Sequence, residues 1–101
     1  MIVVRFKVKC KPEKAHQAAD AFREIVAASR GLAGVISFDM GRDLSDPDSF
    51  LAVEVFEDRA ALERQEALPV VLSTIRLLEE VVAGEPEATI FNVASSEPWG
   101  A

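Results

Sequence analysis

Between Ile2 and Arg30 the hydrophobic period changes once, and the change falls at Lys11-Pro12. Before it, Val4, Phe6 and Val8 alternate with Val3, Arg5, Lys7 and Lys9, the period of a strand with one buried face. After it, Ala15, Ala18, Ala19, Phe22, Ile25, Val26 and Ser29 recur at helical spacing, with Glu13, His16, Gln17, Asp20, Arg23 and Glu24 largely opposite. Proline suits the opening of a helix, because its missing N–H would have no partner in the first turn. Gly31 follows where a helix commonly ends in a left-handed residue. A strand with one apolar face and a helix with one apolar stripe both need a partner layer, which the rest of the chain has to supply.

It does. In Val35–Met40, Ile36, Phe38 and Met40 alternate with Val35, Ser37 and Asp39. The segment 41–49, GRDLSDPDS, is dense in turn residues and reads as a polar loop. Phe50–Phe56 then reads as a third strand, making an antiparallel hairpin with the second. Asp58 is a good N-cap for a short helix, Arg59–Glu66. Leu68-Pro69 interrupts it, and a second helical piece runs to Ala83. That piece is apolar almost all round, with Val70, Val71, Leu72, Ile75, Leu77, Leu78, Val81 and Val82, so it is expected to be buried on more than one side. Gly84 closes it, and Glu87–Ala94 reads as a fourth strand. The order is βαββαβ. It predicts an α+β, ferredoxin-like split βαβ fold with a four-stranded antiparallel sheet and its helices on one face. The domain is expected over 1–94, with a polar tail over 95–101 that holds the only tryptophan, Trp99.

Charge and composition narrow the partners. The 101 residues suit one domain, and the formal net charge of −6 opposes nucleic acid. The basic residues Arg5, Lys7, Lys9, Lys11 and Lys14 mostly alternate along one strand, with no aromatic on their face to stack a base. No apolar run approaches the roughly 20 residues of a membrane helix, and the chain opens on a strand with no leader-like segment. Cys10 is a single cysteine and cannot form an internal disulfide, which fits the cytoplasm. With one His and one Cys and no spaced carboxylate set, no metal site is expected. No Gly-rich phosphate loop or dinucleotide fingerprint appears, and no cofactor is expected.

The strand alternation also sorts the two faces of the sheet. Val4, Phe6, Val8, Ile36, Phe38, Met40, Leu51, Val53 and Val55 form one apolar set, expected under the helices. The other set, Val3, Arg5, Lys7, Val35, Ser37, Asp39, Ala52, Glu54 and Phe56, is half apolar and half polar. A sheet packed face to face with a second sheet can hold such a mixture if its charges pair, since an unpaired buried charge costs several kcal/mol. The expectation is therefore a homodimer with Arg5, Asp39 and Glu54 as its interface polar residues, Glu54 paired to Arg5. The alternative is a monomer with a partly wet sheet face.

The opening MIVVRFKVKCKPEK, the run GVISFDMGRDLSDPDSFLAVEVFEDRAALERQ and the closing strand resemble the antibiotic biosynthesis monooxygenase family, also called dimeric α/β-barrel proteins. The resemblance covers roughly residues 1–94, and its most specific part is the strand with Glu-x-aromatic-Glu-Asp followed by a short helix. It implies a dimer whose sheets face each other in a barrel. It also implies an activity among those of the family: oxidation of phenolic or quinol-type aromatics without a cofactor, haem degradation, or processing of a small signal molecule. The chain departs from the family pattern at Phe56, commonly Trp, at Gln65, commonly His, and near Val70, where a second His often falls. Haem-degrading relatives use an Asn, Trp and His set, which disfavours that activity here.

Oxygenation without metal or flavin requires an electron-rich substrate whose anion donates an electron to oxygen. The protein must supply an apolar cavity, polar anchors and a base. The expected cavity lies between the sheet and the helices near Phe6, Phe38, Gln65 and Phe91, all of which double as ordinary core positions. His16 has the right pKa for a base but falls on the polar stripe, with Asp20 one turn on. Gln65 can hydrogen-bond a substrate oxygen but cannot act as a base. Thr89 and Asn92 are weaker orienting candidates, with Asn92 expected on the dimer side, and Cys10 has no His near it in sequence. The leading expectation is a small monooxygenase acting on a small aromatic. The alternative is a non-catalytic small-molecule-binding or accessory module of the same fold.

Overall fold

The computed structural model describes residues 1–100, so the last residue of the expected tail lies outside the described residues. Strand β1, Ile2–Lys9, leads through a single 3-10 turn, Pro12–Lys14, into helix α1, Ala15–Arg30. Strands β2, Val35–Asp43, and β3, Asp46–Phe56, form the hairpin. Two helices follow, α2 at Arg59–Glu66 and α3 at Pro69–Val81, and then strand β4, Glu87–Asn92. All pairings are antiparallel and the sheet order is β2-β3-β1-β4. This is the ferredoxin-like arrangement, with the helical layer on one face. No described helix is long and apolar enough to cross a membrane.

Local chemistry explains the element ends. The Asp58 carboxylate accepts from the Ala61 N–H at 2.9 Å and caps α2. Pro69 opens α3 at a first-turn position. The left-handed residue after α1 is Gly34, with φ +85°, whereas Gly31 stays right-handed at φ −87°. A Cβ on Gly34 would stand 2.6 Å from that of Ala61, so this glycine also lets α2 lie close against the turn.

The hairpin is longer than its side chains suggest. The polar segment 41–49 is mostly ladder, with Gly41 opposite Leu51 and Arg42 opposite Phe50, and it turns tightly at Leu44-Ser45. Backbone pairing makes no demand on side-chain polarity, and the acids of the segment find local partners. Asp43 accepts from the Ser45 N–H at 2.8 Å and sits 3.5 Å from Lys7, while Asp46 binds Ser49 Oγ at 2.8 Å and Lys9 at 3.0 Å.

Register corrects the expected faces of β3 and β4. Directly opposed residues of an antiparallel ladder project to the same side. Ile2 faces Phe56, Val4 faces Glu54, Phe6 faces Ala52 and Val8 faces Phe50. The helix side of β3 is therefore Phe50, Ala52, Glu54 and Phe56, and Leu51, Val53 and Val55 are on the open side. The alternation could not decide, because β3 is apolar at both parities. Ring burial decides. Phe56 is fully buried, and Phe50 packs edge-on against Phe22 with centroids 5.1 Å apart. Glu54 is carried inward with them. It cannot pair with Arg5, which stands opposite Val53 and Thr89 on the other side of the sheet. On β4, Asn92 and Ile90 share the helix side with Ile2 and Val4, while Phe91 lies opposite Val3 on the open side. Phe91 thus leaves the expected cavity, and Asn92 leaves the expected dimer side. Asp39 keeps its expected face, bonded at 2.9 Å to Arg30 of the same chain.

The core runs from β1 through α1, with Ile2, Val4, Val8, Ala18, Phe22 and Ile25, to Phe38, Leu62 and Val81. Helix α3 is less buried than its composition suggests. Thr74 and Val81 are buried, but Leu72 and Ile75 are half exposed. The inner side of α3 overlooks a cavity instead of packing tightly on the sheet.

Candidate functional site

That cavity encloses about 280 Å³ between the sheet and the helices. Val4, Phe6, Phe38, Ala52 and Glu54 form its floor, Phe22 and Ile25 one wall, and Leu62, Gln65, Val71, Ile75 and Leu78 its roof. Its size is just under the usual range of small-molecule sites, about 300–1,000 Å³, and its lining follows the usual pattern of apolar walls with few polar groups. The polar lining residues are Glu54, Gln65, Glu66 and Thr74.

Each polar group has a distinct situation. Gln65 is buried and its Nε2 donates to Ser29 Oγ at 3.1 Å, which ties α2 to α1 and leaves the amide with further bonding capacity. Thr74 Oγ1 donates to the Val70 carbonyl at 2.7 Å and is occupied within α3. Glu66 is exposed, at the mouth. Glu54 stands on the floor, and burial, then the Glu66 charge, push its carboxyl up to about 7. A carboxylate whose proton is lost near neutral pH, in an apolar cavity, has the standing of a general base.

The other sequence candidates fall elsewhere. His16 is almost fully exposed, its Nε2 3.8 Å from Asp20 Oδ2, and takes no part in the cavity lining. Cys10 is fully buried, and burial raises its thiol pKa, the setting of an unreactive thiol. Thr89 is on the open face of the sheet opposite Arg5. No group of three potential metal ligands occurs among the described residues. A second concavity of about 410 Å³ between α1 and the hairpin has three arginines, but they are engaged: Arg23 with Asp20, Arg30 with Asp39, and Arg42 with the Pro47 carbonyl and the Phe50 ring.

Phe6, Phe38 and Gln65 thus come together, and Glu54 joins them from the set expected at a dimer interface. Glu66 was not singled out by any sequence signal, since a glutamate at the end of a short helix is ordinary surface. The signal that would have found Glu54 is its shared parity with Phe50 and Phe56.

Residues 1–76, which carry every strand but the last and the whole roof helix α2, match the family model for antibiotic biosynthesis monooxygenases. The chain belongs to the antibiotic biosynthesis monooxygenase family. Among solved structures, a putative antibiotic biosynthesis monooxygenase from Deinococcus radiodurans superposes with a TM-score of 0.90 at 22% identity, covering 100% of both chains. A second, from Nitrosomonas europaea, gives a TM-score of 0.87 at 19% identity over 94% of this chain and 100% of that one. These likenesses speak for the fold. A curated relative, an uncharacterized protein of Synechocystis sp., is 28% identical over 96 residues, which is 95% of this chain and 65% of the relative. The chain therefore spans about two thirds of that relative's length.

Proposed function

We propose that this antibiotic biosynthesis monooxygenase family member oxidises a small phenol or quinol in the helix-side cavity, without a cofactor, with Glu54 as the base. One observation carries the reading: an apolar cavity holds a floor carboxylate whose pKa is pushed to about 7. Glu54 takes the phenolic proton, and the electron-rich anion that results donates to molecular oxygen. In the overall reaction one oxygen atom enters the ring as a carbonyl and the other leaves as water. The substrate itself supplies the electrons, so phenol and oxygen give quinone and water in balance. A base near neutrality is matched to such work at physiological pH, and general-base assistance is worth about 10²–10⁴-fold. Gln65 holds a substrate oxygen, and its bond to Ser29 fixes its orientation.

The same proposal places the protein in the cytoplasm as a homodimer, with sheets face to face. The open side of the sheet presents Val3, Leu51, Val53, Val55 and Phe91, of which Val53 and Phe91 are about half exposed. Val55, Val3 and Phe91 lie in one cross-strand row there, and an exposed apolar row of this kind favours a covering partner.

The test is oxygen uptake by metal-stripped protein with a panel of hydroquinones and naphthols, beside Glu54→Gln and heat-denatured controls. Saturable uptake with a defined quinone product, lost in Glu54→Gln, is expected. Ligand binding without uptake by the wild type would favour the binding-module alternative.

A further inference from the structure

The charge of the cavity is one-sided. Its ionisable lining residues are Glu54 on the floor and Glu66 at the mouth, and no Lys, Arg or His lines it. Nearby bases are turned away or engaged. Arg5 and Lys7 project to the opposite side of the sheet, and Lys7 meets Asp43 there. On the helices, Arg64 donates to the Ala33 carbonyl, while Arg30 is held by Asp39 and the Phe38 carbonyl. Both carboxylates line the same cavity, and the negative charge of Glu66 helps raise the pKa of Glu54.

An anion in that space would meet both carboxylates. Apolar walls exclude water, which strengthens the repulsion and weakens its screening by salt. No cation among the lining residues offsets the lost hydration of the anion. A neutral phenol loses only the hydration of its hydroxyl and regains a hydrogen bond to Glu54. An ammonium group is attracted to both acids.

We propose that the cavity selects its aromatic ligand by charge, admitting neutral phenols and arylmethylammonium ions and refusing aryl carboxylates of the same ring size, with Glu66 at the mouth setting the discrimination. This deepens the functional reading above and rests on the cavity being the substrate site, not on turnover. It makes Glu66 a specificity-determining residue, and it confines the substrate to phenols that carry no acid group.

Calorimetric binding of naphthol, hydroxynaphthoate and naphthylmethylamine at low salt and pH 8 tests it. Hydroxynaphthoate is expected to bind at least about tenfold more weakly than naphthol, and the amine at least as tightly as naphthol, as two like charges in an apolar site require. Glu66→Gln should narrow the gap severalfold, and Glu66→Lys should close or invert it. Both change an exposed side chain and should leave the melting temperature nearly unchanged. Equal affinity for naphthol and hydroxynaphthoate in the wild type overturns the proposal, and so does a gap that neither variant moves. Selective binding without oxygen uptake would leave this proposal standing and remove the monooxygenase reading. Uptake of the carboxylated and neutral substrates at equal KM would do the reverse. Failure of all three to bind overturns both.

Discussion

Val4 and Glu54 are direct partners across the β1–β3 ladder, so the Glu54 carboxylate rises from the helix side of the sheet, beside a core valine. A strand position that reads as part of a charged interface is instead the floor of a cavity. The consequences concern stability as much as chemistry.

Glu54 makes the fold less stable as pH rises. Its carboxyl pKa is near 4.5 when unfolded and about 7 when folded, so the folded state binds the proton more tightly. The benefit is complete below the unfolded value and is lost as pH rises through 7, which leaves an ionised carboxylate in the cavity. Glu54→Gln removes that loss. It should stabilise the protein by about 1–3 kcal/mol at pH 8 and change little at pH 4, read from urea midpoints at the two pH values. In the activity assay the same substitution should lower kcat/KM by about 10²-fold or more.

Gln65 and Ser29 form a buried hydrogen bond between α2 and α1. Gln65→Ala leaves the Ser29 hydroxyl without that partner and enlarges the cavity, at a cost of about 1–3 kcal/mol. The loss should show in denaturation midpoints even where activity cannot be followed.

Gly34→Ala should cost about 2–4 kcal/mol, because it adds a strained left-handed residue to a direct clash with the Ala61 Cβ. Gly84→Ala, where nothing lies within 4 Å of an added Cβ, should fall within about 0.5 kcal/mol of the wild type.

Phe91→Glu places a charge on the open sheet side, on the edge strand β4, with Val3 directly opposite. If two sheets meet there, the variant should sediment as a monomer while keeping its circular dichroism spectrum. His16→Ala should leave kcat within about twofold, since the ring is exposed and does not line the cavity.

The element order was legible because each strand carries alternation or a β-branched run, and because Pro12, Pro69 and Gly84 punctuate the helices. The hairpin ends were hidden, since Asp43, Asp46 and Ser49 are polar and yet sit in the ladder. The faces of β3 were hidden for a different reason. Val53 and Val55 read as core at one parity and Phe50 and Phe56 at the other, and only the register with β1 settles which is buried. The same ambiguity put Phe91 on the wrong side. Phe6 and Phe38 could be gathered from strand spacing, and Gln65 from the family position that commonly holds His, but the residue that gives the cavity its chemistry, Glu54, depended on that one parity.

The most direct measurement is a carbon-13 NMR titration of the side-chain carboxyl of Glu54, assigned by difference against Glu54→Gln. The account predicts a midpoint near 7, falling when Glu66 is replaced by Gln. A midpoint between 4 and 5, unmoved by that replacement, would place the carboxylate in water or against a cation, and would contradict the claim that Glu54 is the base of the cavity.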